Sequence, residues 1–309
     1  MRRFFAVLCI VGLPTLTWAK AFHAAGGPAY DFELFELPGA AYAIPVRLSN
    51  NKKPYVVGYG RFDGREKGFR LSLKTGKVKL LAFPGACATF ASGVNSRGQV
   101  VGTYYVGTCD FPGGAEQHAF FRDTKGNYYT IDIPGAFLTG PEGVDDDGTV
   151  VGSALIGGAQ QGYQMSCRKV KKIFSCGALT IYLVPTGVGT FQTRASDITA
   201  GRVAGEYNDH PESSRQHGYL WQNGVFTAVD CVGALGTSAS GVSATLVSGF
   251  SYTADLASHG FLWEGNECIA VEPEGSIVSD VLDVNNSGVI IEVAEGLDRV
   301  PHWYIGFPQ

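Results

Sequence analysis

A hairpin-like unit recurs along this chain at a nearly fixed period, and that repetition limits the folds open to it more than any other feature. Ala91-Ser92-Gly93-Val94-Asn95-Ser96-Arg97-Gly98-Gln99-Val100-Val101-Gly102 aligns without a gap on Pro141-Glu142-Gly143-Val144-Asp145-Asp146-Asp147-Gly148-Thr149-Val150-Val151-Gly152. In each, apolar residues flank a polar turn with glycine, the pattern of a short β-hairpin. The unit returns at 196–205, 240–249 and 282–292, and more loosely at 47–58, giving six copies. Their closing positions, 58, 102, 152, 205, 249 and 292, lie 43 to 53 residues apart. One hairpin cannot bury its apolar face alone, so such a period means an array of β units packed on one another.

A second hairpin follows each first one. Its leading strand carries Lys67-Gly68-Phe69, His118-Ala119-Phe120, Gln161-Gly162-Tyr163, His217-Gly218-Tyr219, His259-Gly260-Phe261 and His302-Trp303-Tyr304, with an aromatic third position in all six. A large ring at one strand position of every repeat predicts the packing between neighbouring sheets. The trailing strand is clear at 79–86 and 130–136 and weaker at 180–185, 227–232 and 269–273, so each repeat holds four strands. The sixth repeat stops at Gln309 after its third strand, while residues 33–40 copy the fourth strand at the other end of the chain. An N-terminal strand completing the last sheet predicts an all-β, six-bladed β-propeller with four antiparallel strands per blade, a closure that leaves few exposed edges. A solenoid needs capping repeats instead. With 42 Gly, 19 Phe and 14 Tyr in 309 residues and only 17% charged, against about 25% in an ordinary domain, the composition suits short strands and tight turns.

Residues 1–21 read as a signal peptide, with Arg2 and Arg3 before an apolar stretch from 4 to 13 and Ala19-Lys20-Ala21 at the cleavage site. That leaves 22–309 as a single propeller domain, secreted to the periplasm or beyond. The apolar stretch is too short to span a bilayer and no later run reaches 18 apolar residues, so no transmembrane segment is expected. Cys9 follows Leu8 where a lipoprotein signal needs a small residue. Cleavage removes Arg2, Arg3 and Lys20 and takes the formal charge from -4 to -7, which argues against nucleic acid or an anionic membrane surface as partner.

Six cysteines remain after Cys9, an even number that points to disulfides in an exported chain. Cys87 and Cys109 fall in two loops on the same face of the second blade, and Cys167 and Cys176 on opposite arms of one hairpin, so both pairs are predicted to bridge. Cys231 ends one outer strand and Cys268 begins the next, about 23 Å apart if the strands lie side by side. They are predicted to stay unpaired.

The recurring Val-Asn-x-x-Gly-x-Val-Val-Gly followed by His118-Ala119-Phe120 resembles the repeat of the extracellular HAF family, named for that tripeptide. His217-Gly218-Tyr219 and His259-Gly260-Phe261 are close variants, and the resemblance extends over residues 30–307. It implies a secreted bacterial propeller, and it supplies no catalytic residues. Lys67 and Gln161 depart from the His position, and Glu292 stands where Gly closes the other first hairpins.

Few residues speak for chemistry. His118, His217, His259 and His302 form a column, but on third strands they sit about 15 Å apart around the ring, too far to share an ion, and a structural role within the blade is expected. Asp145-Asp146-Asp147-Gly148 resembles part of a calcium loop, yet it falls where other repeats make plain turns and the bidentate Glu is missing. No metal and no cofactor are expected. Asn285-Asn286-Ser287 fits a glycosylation acceptor by chance in another such turn. Glu292 reads either as an acid in the channel wall or as an exposed charge on a divergent blade. No hydrolase elbow, zinc, phosphate-loop or sialidase motif occurs. The longer loops, 106–117, 185–192 and 208–216, gather on one face, where Asp110, Phe111, Asp209, His210, Glu212 and Arg215 mix charges with aromatics as a binding rim would. The reading is a monomeric, non-catalytic propeller that binds an extracellular protein or glycan through this loop face. The alternative is an extracellular polysaccharide hydrolase or lyase with loop carboxylates and His210 as acid and base.

Overall fold

The computed structural model describes residues 29–109, 114–182, 192–208, 215–254 and 257–309. The protein is a six-bladed β-propeller: six antiparallel sheets stand in a ring, each running from an inner strand at the axis to an outer strand at the rim. The inner strands are Ala40–Leu48, Ala88–Val94, Leu138–Val144, Gln192–Thr199, Gly236–Val242 and Val278–Val284. In the last blade the outer strand is Tyr30–Leu34, paired antiparallel with Pro301–Pro308 from Tyr30 opposite Pro308 to Leu34 opposite Tyr304. The ring is therefore closed by the N-terminal side of the chain, as the repeat requires.

The aromatic of each third strand is the packing unit. Phe69, Phe120, Tyr163, Tyr219 and Phe261 lie opposite Gly58, Gly102, Gly152, Gly205 and Gly249, and all five rings are buried. The glycine is a space requirement: a Cβ on Gly102 would stand 2.9 Å from the Phe120 ring. The core runs between blades, as where Val101, Phe121 and Ile131 of blade 2 meet Val150, Tyr163 and Met165 of blade 3.

Two local devices recur. Outer strands lead into the next blade through a tight turn whose glycine, Gly39, Gly85, Gly135, Gly233 or Gly275, has φ between 82° and 84°, a conformation that a Cβ makes costly. All six inner strands carry a bulge, at Pro45/Arg47, Ala91/Gly93, Pro141/Gly143, Ala195/Asp197, Ala239/Gly241 and Val281/Asp283. A bulge re-aims the residue that follows it, and these six positions form one ring at the axis.

On the face carrying the first-to-second strand turns, every blade is tied to the next. Asn51 Nδ2 donates to Ser96 O at 3.0 Å, Ser96 N to Asp146 Oδ1 at 2.8 Å and Gly201 N to Asp145 Oδ2 at 2.9 Å. Arg202 Nη1 donates to Ala244 O at 2.7 Å, Ala244 N to Asn286 Oδ1 at 2.7 Å and Asn286 N to Asn50 Oδ1 at 2.8 Å. These six links cross all six blade boundaries.

Three disulfides are present: Cys87–Cys109, Cys167–Cys176 and Cys231–Cys268, with Cα separations of 5.8, 4.0 and 5.5 Å. The third corrects the expectation that Cys231 and Cys268 stay unpaired. That expectation laid neighbouring outer strands side by side. Strands in a sheet are rotated by roughly 20 to 25° each, so by the fourth the strand lies across the blade, and the end of one outer strand approaches the start of the next. Both cysteines pack against one cluster that includes Leu220, Val229 and Trp263. Blade 3 departs from the repeat: its third strand, Ala159–Val170, runs on to pair with Ile173–Cys176 in an extra hairpin before Thr180–Ile181 takes the outer position.

Candidate functional site

The six bulge positions at the axis hold Arg47, Gly93, Gly143, Asp197, Gly241 and Asp283 in order around the ring. Arg47 crosses the channel from blade 1: Nη2 donates to Ser196 O at 2.7 Å, and Nη1 to Ser240 O at 2.9 Å and Leu282 O at 3.0 Å. Its Nε lies 3.8 Å from Asp197 and its Nη1 3.8 Å from Asp283. The carboxylates are held in turn by backbone N–H groups, Val242 N on Asp197 at 3.0 Å and Leu48 N on Asp283 at 2.6 Å. Glycine at the other positions leaves room, since a Cβ on Gly143 would stand 3.0 Å from Asp197 Oδ1. Arg47 is only 5% exposed and Asp283 1%. Burial, with the second carboxylate beside it, pushes Asp283 up to about 7 against the pull of Arg47; burial raises Asp197 as well. One guanidinium thus faces two acids that do not both ionise readily, and the channel is closed where they meet.

Arg47 divides the axis into two mouths. The turn-face mouth is a cavity of about 670 Å³ lined by Asn50, Asn95, Ser96, Asp145, Asp146 and Thr199. Asp145 and Asp146 accept the backbone N–H groups of Gly201 and Ser96, so two acids of the triplet work as blade latches, while Asp147 accepts Thr149 N within its own turn. Among the described residues no group of three metal-binding side chains occurs.

Toward the loop face, Arg194 Nη2 lies 3.0 Å from Glu142 and its Nη1 3.7 Å from Glu206, and Ser238 donates to Glu206. The Glu142 and Glu206 carboxylates raise the Arg194 pKa against the opposing effect of burial. On blades 1 and 2 of the same mouth Phe90 meets Tyr59 at 4.9 Å and Tyr105 at 5.6 Å, both edge-on, and all three are half-buried. Phe250 and Tyr252 make a second edge-on pair at 5.3 Å on blade 5. Burial raises the Tyr252 phenol, with Asp280 and Glu206 adding to it, and burial also lifts Asp280 above the ordinary carboxylate range.

Of the rim residues expected from sequence, Asp110, Phe111, Asp209, His210 and Glu212 lie outside the described residues. Arg215 precedes the third strand of blade 4, Gln216–Gln222, and is exposed. The histidines each meet a carboxylate of their own blade: His118 Nδ1 to Asp132 at 2.7 Å, His217 Nδ1 to Asp230 at 3.0 Å, His259 Nδ1 to Glu272 at 2.7 Å and His302 Nε2 to Asp298 at 3.2 Å. Glu292 is neither exposed nor in the channel. It takes the glycine position opposite Tyr304, fully buried, and burial pushes its pKa well above the usual range, with Glu272 and Asp280 contributing. Neither oxygen has a donor in hydrogen-bonding geometry among the described residues, although the Ser279 hydroxyl lies near enough to ease ionisation.

The axial ring is what sequence reading missed. Its signal was available: down the aligned column 47, 93, 143, 197, 241, 283 one cation and two acids stand among glycines, a combination that solvated turns have no reason to produce.

No protein-family profile matches the chain, and no curated protein matches it. Solved structures do. A protein of unknown function from Dyadobacter fermentans is 8% identical with TM-score 0.56, over 92% of this chain and 100% of that one. The propeller domain of the trilobed protease from Pyrococcus furiosus is 9% identical with TM-score 0.51, over 86% and 94%. The acylaminoacyl peptidase of Pyrococcus horikoshii is 12% identical with TM-score 0.54, over 89% and 46%. The chain thus spans about half the length of that peptidase, and the likeness is one of fold.

Proposed function

We propose that this protein is a secreted, non-catalytic propeller that binds a glycan or a protein at its loop-face mouth, with residues 1–21 removed as a signal peptide and with the HAF-repeat proteins as its kin. The observation that carries this reading is the half-buried cluster of Phe90, Tyr59 and Tyr105 at a mouth shared with the Glu142–Arg194–Glu206 clamp. Aromatic rings offer apolar contact to a flat sugar or a side chain, and fixed charges orient it. The mouth carboxylates Glu142 and Glu206 are tied to Arg194 and Ser238, which suits recognition better than proton transfer. Arg47 closes the axis beneath them, so a ligand rests at the mouth.

A glycan array with purified residues 22–309 tests this. Specific retention that is lost on Phe90→Ala, with melting unchanged, supports it; no glycan or extracellular protein retained above background overturns it. One observation favours the hydrolase or lyase reading: Asp280, lifted above the ordinary range near Tyr252, has the property of a general acid. Polysaccharide cleavage abolished by Asp280→Asn would establish that alternative.

A further inference from the structure

The extra hairpin of blade 3 stands where other blades make a short turn between third and outer strands, as from Gln222 to Val225 in blade 4. Its pairing, Cys167 with Cys176, Arg168 with Ser175, Lys169 with Phe174 and Val170 with Ile173, sorts its side chains onto two faces, because opposite residues share a face and neighbours alternate. One face is anchored. Phe174 stacks on Tyr129 of blade 2 at 4.1 Å, Lys169 Nζ donates to the Tyr129 hydroxyl at 2.8 Å, and the Cys167–Cys176 disulfide closes the base.

The other face is turned to solvent. Val170 is 54% exposed and Ile173 73%, and Arg168, Lys171 and Lys172 around them are exposed. Between the two cysteines stand four cations and no carboxylate, in a chain of formal charge -4. A second feature on the same turn face agrees. On blade 1 a groove of about 600 Å³ is lined by Lys53, Arg70, Lys74, Lys77 and Lys79 without a carboxylate. On blade 2 the turn between third and outer strands adds an exposed Lys125, and its Asp123 is turned onto Lys125 N, Asn127 N and the Tyr129 hydroxyl. The Arg122 guanidinium of this blade, buried over the Tyr128 ring, lowers the Lys79 pKa from behind the surface. Of the acids Asp145, Asp146 and Asp147 at the axial mouth of this face, the first two are turned onto backbone N–H groups of blades 4 and 2 and the third, exposed, accepts Thr149 N of its own turn.

We propose that the turn-face rim of blades 1 to 3 docks on an anionic lipid surface, with Val170 and Ile173 entering the headgroup layer and the surrounding lysines and arginines holding lipid phosphates. Overall net charge argues against such a partner, but it is an average, and attraction to a surface falls off within a Debye length, so the local patch decides. The aliphatic pair separates a lipid surface from a soluble polyanion. Phosphate or sulfate needs only the cations, whereas a rigid projecting tip with exposed Val and Ile among cations has the make-up of an interfacial anchor.

The test is co-sedimentation of the purified protein with vesicles of phosphatidylcholine alone or mixed with phosphatidylglycerol. Binding only to the anionic vesicles, weakened by salt, is expected. Lys171→Ser with Lys172→Ser should lower partitioning on the order of 25-fold, and Val170→Ser with Ile173→Ser, which keeps every cation, at least roughly tenfold. Both pairs are exposed, so thermal melting should match the parent. The proposal is overturned by absence of binding to anionic vesicles, by equal binding to neutral ones, or by an aliphatic variant that binds like the parent. Capture of dextran sulfate without vesicle binding would mean a soluble polyanion instead, and would also overturn it.

Discussion

At the scale of single residues, two buried ionisable groups carry consequences that can be measured. Glu292 holds its proton in the folded protein well above the range in which an unfolded glutamate releases it. Its contribution to stability is therefore complete below the ordinary carboxylate range and is lost as pH rises toward its folded pKa, at up to about 1.4 kcal/mol per pH unit. Glu292→Gln keeps the shape without the charge. Denaturant melts from pH 5 to 9 should show the parent losing stability relative to this variant as pH climbs, and parallel curves would show that Glu292 ionises freely in place. The Tyr30 phenol, pushed up to about 12 by burial and by Glu292, binds Gly288 O at 2.9 Å from the closing strand, so ionisation of Glu292 is felt at the seam of the ring. Arg47 is the opposite case. Removing it strands Asp197 and Asp283 and three carbonyl oxygens in the sealed axis. Arg47→Ala should cost about 3 to 5 kcal/mol, the range for one partner lost from a buried ion pair. A loss below about 1 kcal/mol by chemical denaturation would show that water fills the site at little penalty.

At the scale of elements, the blade-to-blade disulfide makes the sharpest prediction. Thiol titration of the denatured, unreduced protein lacking residues 1–21 should find no free thiol, where side-by-side outer strands would leave two. Cys231→Ser with Cys268→Ser opens a link between positions 37 residues apart and should cost about 2 to 4 kcal/mol, read as a lower melting temperature. The contrast shows where sequence reading stops. Strand order, the aromatic of each third strand and the closing strand follow from periodicity, because packing asks the same residue type of every repeat: Phe69, Phe120, Tyr163, Tyr219 and Phe261 do one job. The axial ring asks for different types at equivalent positions, an Arg against two Asp with glycines between, and a search for likeness passes over it. The third disulfide depends on how far the blades twist, which residue spacing does not express. The blade 3 hairpin is legible in sequence through Cys167 and Cys176 on its two arms and through the longest interval, the 53 residues from 152 to 205, but not as an addition ahead of a separate outer strand, Thr180–Ile181.

At the scale of the whole molecule, the ring is held at its seam and across its turn face. Deleting residues 29–35 strips the outer strand from blade 6 and leaves Pro301–Pro308 as an open edge. The truncated protein should melt lower and self-associate in a concentration-dependent way, since unpaired edges template pairing; sedimentation velocity would show the association, and an unchanged monomer with unchanged melting would mean that the seam contributes little. The Arg47 contacts bear on the order of assembly. They join positions 149, 193 and 235 residues apart, and such long separations carry a high loop-closure entropy. Blades 4, 5 and 6 must already stand in the ring with blade 1 before the guanidinium has all its carbonyl partners, so the plug belongs on the native side of the folding barrier. A conservative change there, Arg47→Lys, should accelerate unfolding and leave the refolding rate almost untouched. The residue that seals the axis would then act as a brake on escape from the native state, setting how long the ring stays shut once it has closed.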